Sequence, residues 1–213
     1  MTNSRLNFLS DLRRKLSAEN EKIINHRFVR DALNGKHSLS KFRRFATQQH
    51  YILYYDLRSL ATMLSRTRST AESEFFQTLI VGEKRAFDAL LAFSEEIGLG
   101  KESLATSEIA AGAVAYAHYM CWLANYANPG EQATALTMNL SVWGNNCQRL
   151  ASALRNKYHL KRTIFFELFS GPFDTLERNA SKIIDKYVDE YRFSMERCAR
   201  LIQNYELMFW NSL

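Results

Sequence analysis

Only two prolines and eight glycines occur in 213 residues. Pro129 and Pro172 leave long stretches without the residues that most often break a helix, so long helices are expected. Cysteine is scarce too: Cys121, Cys147 and Cys198 are odd in number and share no CxxC spacing. That argues against a disulfide framework or a thiolate metal site, and each thiol, lying in an apolar helical pattern, reads as structural. From Met1 to Lys15 no apolar run is long enough for a signal peptide, and the chain reads as cytoplasmic. His26, His37, His50, His118 and His159 form no HExxH or other paired metal spacing. No histidine stands three residues after Glu83, which disfavours a carboxylate-bridged di-metal centre. Neither a phosphate-cradling glycine loop nor GxSxG is present. No metal and no cofactor is expected, and His26, a lone helical histidine, reads as structural rather than as a haem ligand.

What remains is rich in core-forming residues, 46% hydrophobic and 13% aromatic, as a single domain over residues 1–213 requires. The net charge of +6 is scattered among acidic residues, so neither a basic face nor a recognition motif points to nucleic acid. The local cluster Lys41-Phe42-Arg43-Arg44 reads as a solvated helix face.

Apolar periodicity between turn signals predicts an all-α bundle of about seven helices, without sheet or internal repeat. The first runs from about Asn7 to Leu33, the second from Ser38 or Ser40 to about Arg66, and the third from Thr70 to Ile97. After a loop from Gly98 to Thr106, Ser107 and Glu108 open a fourth helix that ends at Asn128-Pro129-Gly130. A fifth spans Glu131 to about Tyr158, and a short sixth runs from Lys161 to near Gly171-Pro172. The last helix carries an apolar stripe from Val188 through Tyr191, Met195, Cys198, Ile202 and Tyr205 to Phe209. Ile109 to Gly130 and Gln132 to Gln148 carry no charge. Their asparagines and tyrosines argue against a membrane span, so they are expected centrally or at a subunit interface.

Polar residues interrupt two of the apolar stripes. On the second helix Phe42, Phe45, Gln49, Ile52, Asp56 and Leu60 share a face, and on the fifth Leu136, Asn139, Trp143, Asn146 and Leu150 do. A buried amide without partners costs on the order of 1–3 kcal/mol, so these side chains must bond to each other or to a bound molecule. Glu206, within Tyr205-Glu206-Leu207-Met208-Phe209-Trp210, sits against aromatics that disfavour its charged form and bring it toward proton-transfer range. Glu83 and Asp56 are candidates for a second carboxylate.

The segments from His26-Arg27-Phe28-Val29 to Phe42, Gln48-Gln49-His50-Tyr51, and Tyr205 to Trp210 resemble, in order and spacing, the TenA (thiaminase II) family over nearly the whole chain. The resemblance implies a haem-oxygenase-like helical fold and a homotetramer, or at least a dimer. It also implies hydrolysis of the aminomethyl group of aminopyrimidine thiamin-breakdown products, or of thiamin itself. By this resemblance Glu206 is the proton donor and acceptor, Phe209 is the aromatic that follows it, and Tyr116 lines the pyrimidine site. Phe169 falls near another family tyrosine. Asn139 stands where the family has its nucleophilic cysteine, Gln49 where an aspartate reads the pyrimidine, and Ile52 and Trp143 where tyrosines line the pocket. Cys147, two helical turns from Asn139, does not replace the missing thiol.

Three functions follow from that pattern: a cysteine-independent hydrolase of the family branch thought to rely on carboxylates, a non-catalytic or regulatory binder of a small aromatic heterocycle, and an oxidative enzyme like the PqqC proteins. The first is taken as primary.

Overall fold

A computed structural model describes residues 8–213, and among these every regular element is a helix. There are ten: α1 Phe8–Lys15, α2 Ser17–Ile24, α3 Arg27–Leu33, α4 Leu39–Ser65, α5 Thr70–Glu96, α6 Lys101–Thr106, α7 Ala111–Tyr126, α8 Pro129–Tyr158, α9 Ile164–Leu168 and α10 Asp174–Asn211. The count exceeds seven chiefly because the expected first helix is three, its proposed start at Asn7 lying outside the described residues. His26 makes one of the breaks: its backbone is extended (φ −61°, ψ 144°), and its Nδ1 accepts from the Phe28 N–H at 3.2 Å, capping α3. Its other ring nitrogen meets Asn211 Oδ1 at 3.0 Å, so this histidine ties α3 to the end of α10.

Other boundaries shift for equally local reasons. Within the expected loop, buried Leu104 anchors the short helix α6. The Gln48 side chain donates to Glu108 O and accepts from Ala110 N, each at 3.0 Å, so residues 108–110 stay extended and α7 starts late. Asn128 and Pro129, expected to end a helix, instead begin one. The Asn128 side chain accepts from Glu131 N while Glu131 accepts from Asn128 N, a capping box with proline at the first helical position.

Helix α8 runs through the interior against α10, its most extensive partner, while α4 packs between α5 and α7. Residues 132–139 of α8 are all buried, as their lack of charge suggested, and Glu131 is buried with them in its capping box. Helix α7, equally uncharged, buries only one face and leaves His118, Cys121, Trp122, Asn125 and Tyr126 exposed. No helix among the described residues is long and apolar enough to cross a membrane.

The last helix is bent. Tyr191 leaves helical geometry (φ −113°, ψ 15°) and is 37% exposed, so it does not belong to the buried stripe assigned from the sequence. A straight helix would put Leu176 and Glu206 about 45 Å apart. Both nevertheless border one cavity of about 310 Å³, which the bend makes possible.

Candidate functional site

That cavity is walled by α4, α5, α7, α8, the α9–α10 junction and both limbs of α10. Steps of three and four residues put Gln49, Ile52 and Asp56 on one face of α4. The same periodicity brings Asn139 and Trp143 of α8 to the cavity. Tyr116 comes from α7, Glu83 from α5, Phe169 from the junction, and Glu206 and Phe209 from α10. Thus all eight residues singled out from the sequence, Gln49, Ile52, Tyr116, Asn139, Trp143, Phe169, Glu206 and Phe209, border a single space, together with both candidate second carboxylates.

Aromatic side chains form much of one wall. Trp143 meets Phe209 edge-on at 5.8 Å and Phe169 at 6.0 Å, and on its other side stacks parallel to Phe45 at 6.2 Å. Gly144, next along α8, is required for this closeness, since a Cβ there would lie 2.4 Å from the Phe169 carbonyl oxygen.

Glu206 is buried and doubly bonded. Trp210 Nε1 donates to its Oε1 at 3.0 Å and Asn139 Nδ2 to its Oε2 at 2.5 Å. Burial pushes its carboxyl up to about 8, although both hydrogen bonds favour the charged form. Asn139 is itself fixed: its Oδ1 accepts from the Tyr116 hydroxyl at 3.1 Å, and its Nδ2 also donates to Gln203 Oε1 at 3.2 Å. Gln203 is oriented in turn, because its Nε2 donates to the Met138 carbonyl at 3.3 Å and to Asn20 Oδ1 at 2.8 Å. A peptide carbonyl can only accept, so this chain of amides has one direction and ends as a donor on Glu206.

The α4 and α5 wall is different. Asp56 is buried, its Oδ1 has no hydrogen-bond partner among the described residues, and Glu83 is half-buried beside the same cavity. Burial, reinforced by the Glu83 charge, holds the Asp56 carboxyl well above its usual range; burial likewise pushes Glu83 up to about 8. Burial also raises the Tyr116 hydroxyl, with Asp56, Glu83 and Glu206 all adding to the effect, so this phenol lies within the field of all three carboxyls.

Some sequence candidates lie elsewhere. Asn146 is buried away from the cavity and donates to Ile23 O at 3.0 Å. Cys147 and Cys198 are buried as expected, but Cys121 is exposed. No cysteine is among the described residues that line the cavity. Gln203 was missed because it lies off the apolar stripe of α10; its position one turn before Glu206 was the available signal. Gly171, Pro172 and Phe173, which close the cavity at the junction, carried no chemical signature in the sequence.

Comparison with known structures extends over the whole chain. A TenA homologue from P. horikoshii OT3 is 22% identical with a TM-score of 0.78, covering 96% of both chains. A putative TenA-like thiaminase from Sulfolobus solfataricus P2 is 13% identical with a TM-score of 0.71, covering 100% of this chain and 95% of its own. A domain of unknown function from Shewanella denitrificans OS217, described as having a heme oxygenase-like fold, is 14% identical with a TM-score of 0.78, covering 96% of this chain and 90% of its own. These likenesses establish the heme oxygenase-like fold. No curated protein matches in sequence. The profile of one family does match, over residues 13–213, and with that extent of agreement the chain belongs to the TENA/THI-4/PQQC family.

Proposed function

We propose that the cavity hydrolyses the aminomethyl group of an aminopyrimidine or related thiamin-breakdown product, with Glu206 as proton carrier and without a thiol nucleophile. The observation that carries this reading is the buried Glu206 carboxyl, raised to about 8 and held by Asn139 and Trp210 at the edge of a largely apolar cavity. Near neutral pH it is mostly protonated yet titratable, which suits a group that must both give and take a proton. The proton shared by Glu206 and the substrate amine leaves with ammonia as the C–N bond breaks. Water then forms the C–O bond to the methylene carbon and returns one proton to the carboxylate. Aromatic faces from Trp143, Phe169 and Phe209 suit a flat ring, and Gln49 offers it an amide.

The absence of lysine, arginine and histidine from the described lining residues weighs against an oxidative PqqC-like reading, which calls for such groups. A non-catalytic binder is favoured by one observation, that Asn139 stands fully engaged in hydrogen bonds and offers no nucleophile. The exposed, uncharged face of α7 supports a homo-oligomer.

The test is release of hydroxymethylpyrimidine from an aminomethylpyrimidine and from thiamin, with calorimetric binding in parallel. Glu206→Gln should lose about a hundredfold or more in turnover while still binding. Full activity in that variant would sink the role of Glu206, and binding without turnover in the unaltered protein would leave the binder.

A further inference from the structure

The cavity has an unbalanced charge inventory. Three carboxyl groups, Asp56, Glu83 and Glu206, face it, and no basic side chain from any wall answers them among the described lining residues. Glu206 has two donors of its own, whereas Asp56 Oδ1 has none. Gln49, two turns before Asp56 on the same helix face, is only 5% exposed, and no described residue bonds its side-chain amide. Two independent polar groups, each at least nine-tenths buried, therefore meet the cavity without protein partners. Unpaired burial of such groups is costly, and the usual resolution is a partner supplied from outside the chain.

We propose that Asp56 and Glu83 form a cation-recognising subsite on the α4–α5 wall, selecting substrates with a second protonated nitrogen, amine or amidine, beyond the one beside Glu206. This rests on the cavity being the ligand site proposed above, and it narrows the substrate class to small aromatic dications or amidine-bearing heterocycles. An ammonium or amidinium donates charge-assisted hydrogen bonds that two carboxylates accept. Phosphorylated or carboxylated ligands find no positive side chain among the described lining residues. A metal ion is the poorer occupant, since no cluster of three metal-ligating side chains exists among the described residues and the remaining walls are mostly apolar. The groups facing the pair are Tyr116 from α7 and Glu206 from α10, neither of which supplies positive charge. Burial disfavours the charged form of both carboxyls, so a cation that binds them releases protons rather than joining a preformed anion.

Calorimetry at neutral pH with three probes tests this: m-xylylenediamine, benzylamine, which lacks the second arm, and 1,3-benzenedimethanol, which keeps both arms without charge. The diamine should bind at least about tenfold more tightly than benzylamine, and the diol most weakly. Asp56→Asn and Glu83→Gln should each remove most of the diamine's advantage, and Glu206→Gln should leave it. Equal affinity for diamine and monoamine overturns the proposal, as does an advantage lost only in Glu206→Gln. Because buried substitutions can disturb folding, the unaltered protein gives a second reading from titrations in phosphate and in Tris. More protons should be released with the diamine than with benzylamine, and equal release overturns the subsite. Turnover enters neither reading: diamine preference without hydrolysis removes the hydrolase alone, and hydrolysis without preference removes the subsite alone.

Discussion

Glu206 receives a hydrogen bond on each carboxyl oxygen, and both partners are donors whose direction the protein fixes. When the carboxyl is protonated, its own hydrogen therefore has no acceptor in that network and is left for whatever occupies the cavity. The same burial has a cost that depends on pH. An ordinary glutamate titrates near 4.5, whereas Glu206 and Glu83 titrate near 8 in the folded protein. Between those values the folded chain holds protons that the unfolded chain has lost, so stability declines as pH rises. This contribution is complete below about 4.5 and is lost as pH passes through about 8. The thermal midpoint should accordingly fall from about pH 6 to about pH 9, and less steeply in Glu206→Gln. An equal slope in the two proteins would mean that Glu206 is not the group responsible.

Among the elements, α8 concentrates the architecture, because it supplies Asn139 and Trp143 and packs so closely on the α9–α10 junction at Gly144 that there is no room for a Cβ. Substituting alanine there forces Phe169 and Phe173 outward. Gly144→Ala should cost about 1–3 kcal/mol in urea unfolding and weaken ligand binding together, since the displaced residues line the cavity. Ordinary stability with unchanged binding would show that the junction adjusts freely. How far such features could be read in advance depended on range. Gln49, Asp56, Asn139 and Trp143 were legible because helical spacing alone placed polar or bulky groups on apolar stripes. Glu206 was legible from its aromatic surroundings and from a family motif. Gln203 was not, because its role comes from a carbonyl of α8 and a side chain of α2. The break at His26 depends similarly on a side chain capping the next helix. Nor is the Lys41-Phe42-Arg43-Arg44 cluster merely solvated: Lys41 bonds Leu213 O, Arg43 Nε reaches Ile97 O at 2.6 Å, and Arg44 Nε reaches Ser212 O at 2.8 Å. These cations neutralise carbonyls at the ends of α5 and α10, partners too distant in sequence for local periodicity to reveal.

At the scale of the molecule, the two uncharged segments divide their roles: α8 is central, and α7 leaves Trp122 and Tyr126 exposed, as α4, packed on it, leaves Tyr54 and Tyr55. Along α7 Tyr119 stacks on Trp122 at 5.6 Å, and Trp122 meets Tyr126 at a tilt at 5.9 Å. Trp122→Glu should lower the mass found by light scattering if this face joins subunits, and an unchanged oligomer would move the interface elsewhere. The bend at Tyr191 bears on the whole molecule in a further way. Leu176 on one limb of α10 and Phe209 on the other touch the same cavity, so the helix works like a pair of callipers with its pivot at a single residue. Glu206 lies about 22 Å from that pivot, so a change of about 10° there shifts the jaw by about 4 Å. The spacing of the two limbs is thus set by the two backbone torsions of one residue that does not itself line the cavity.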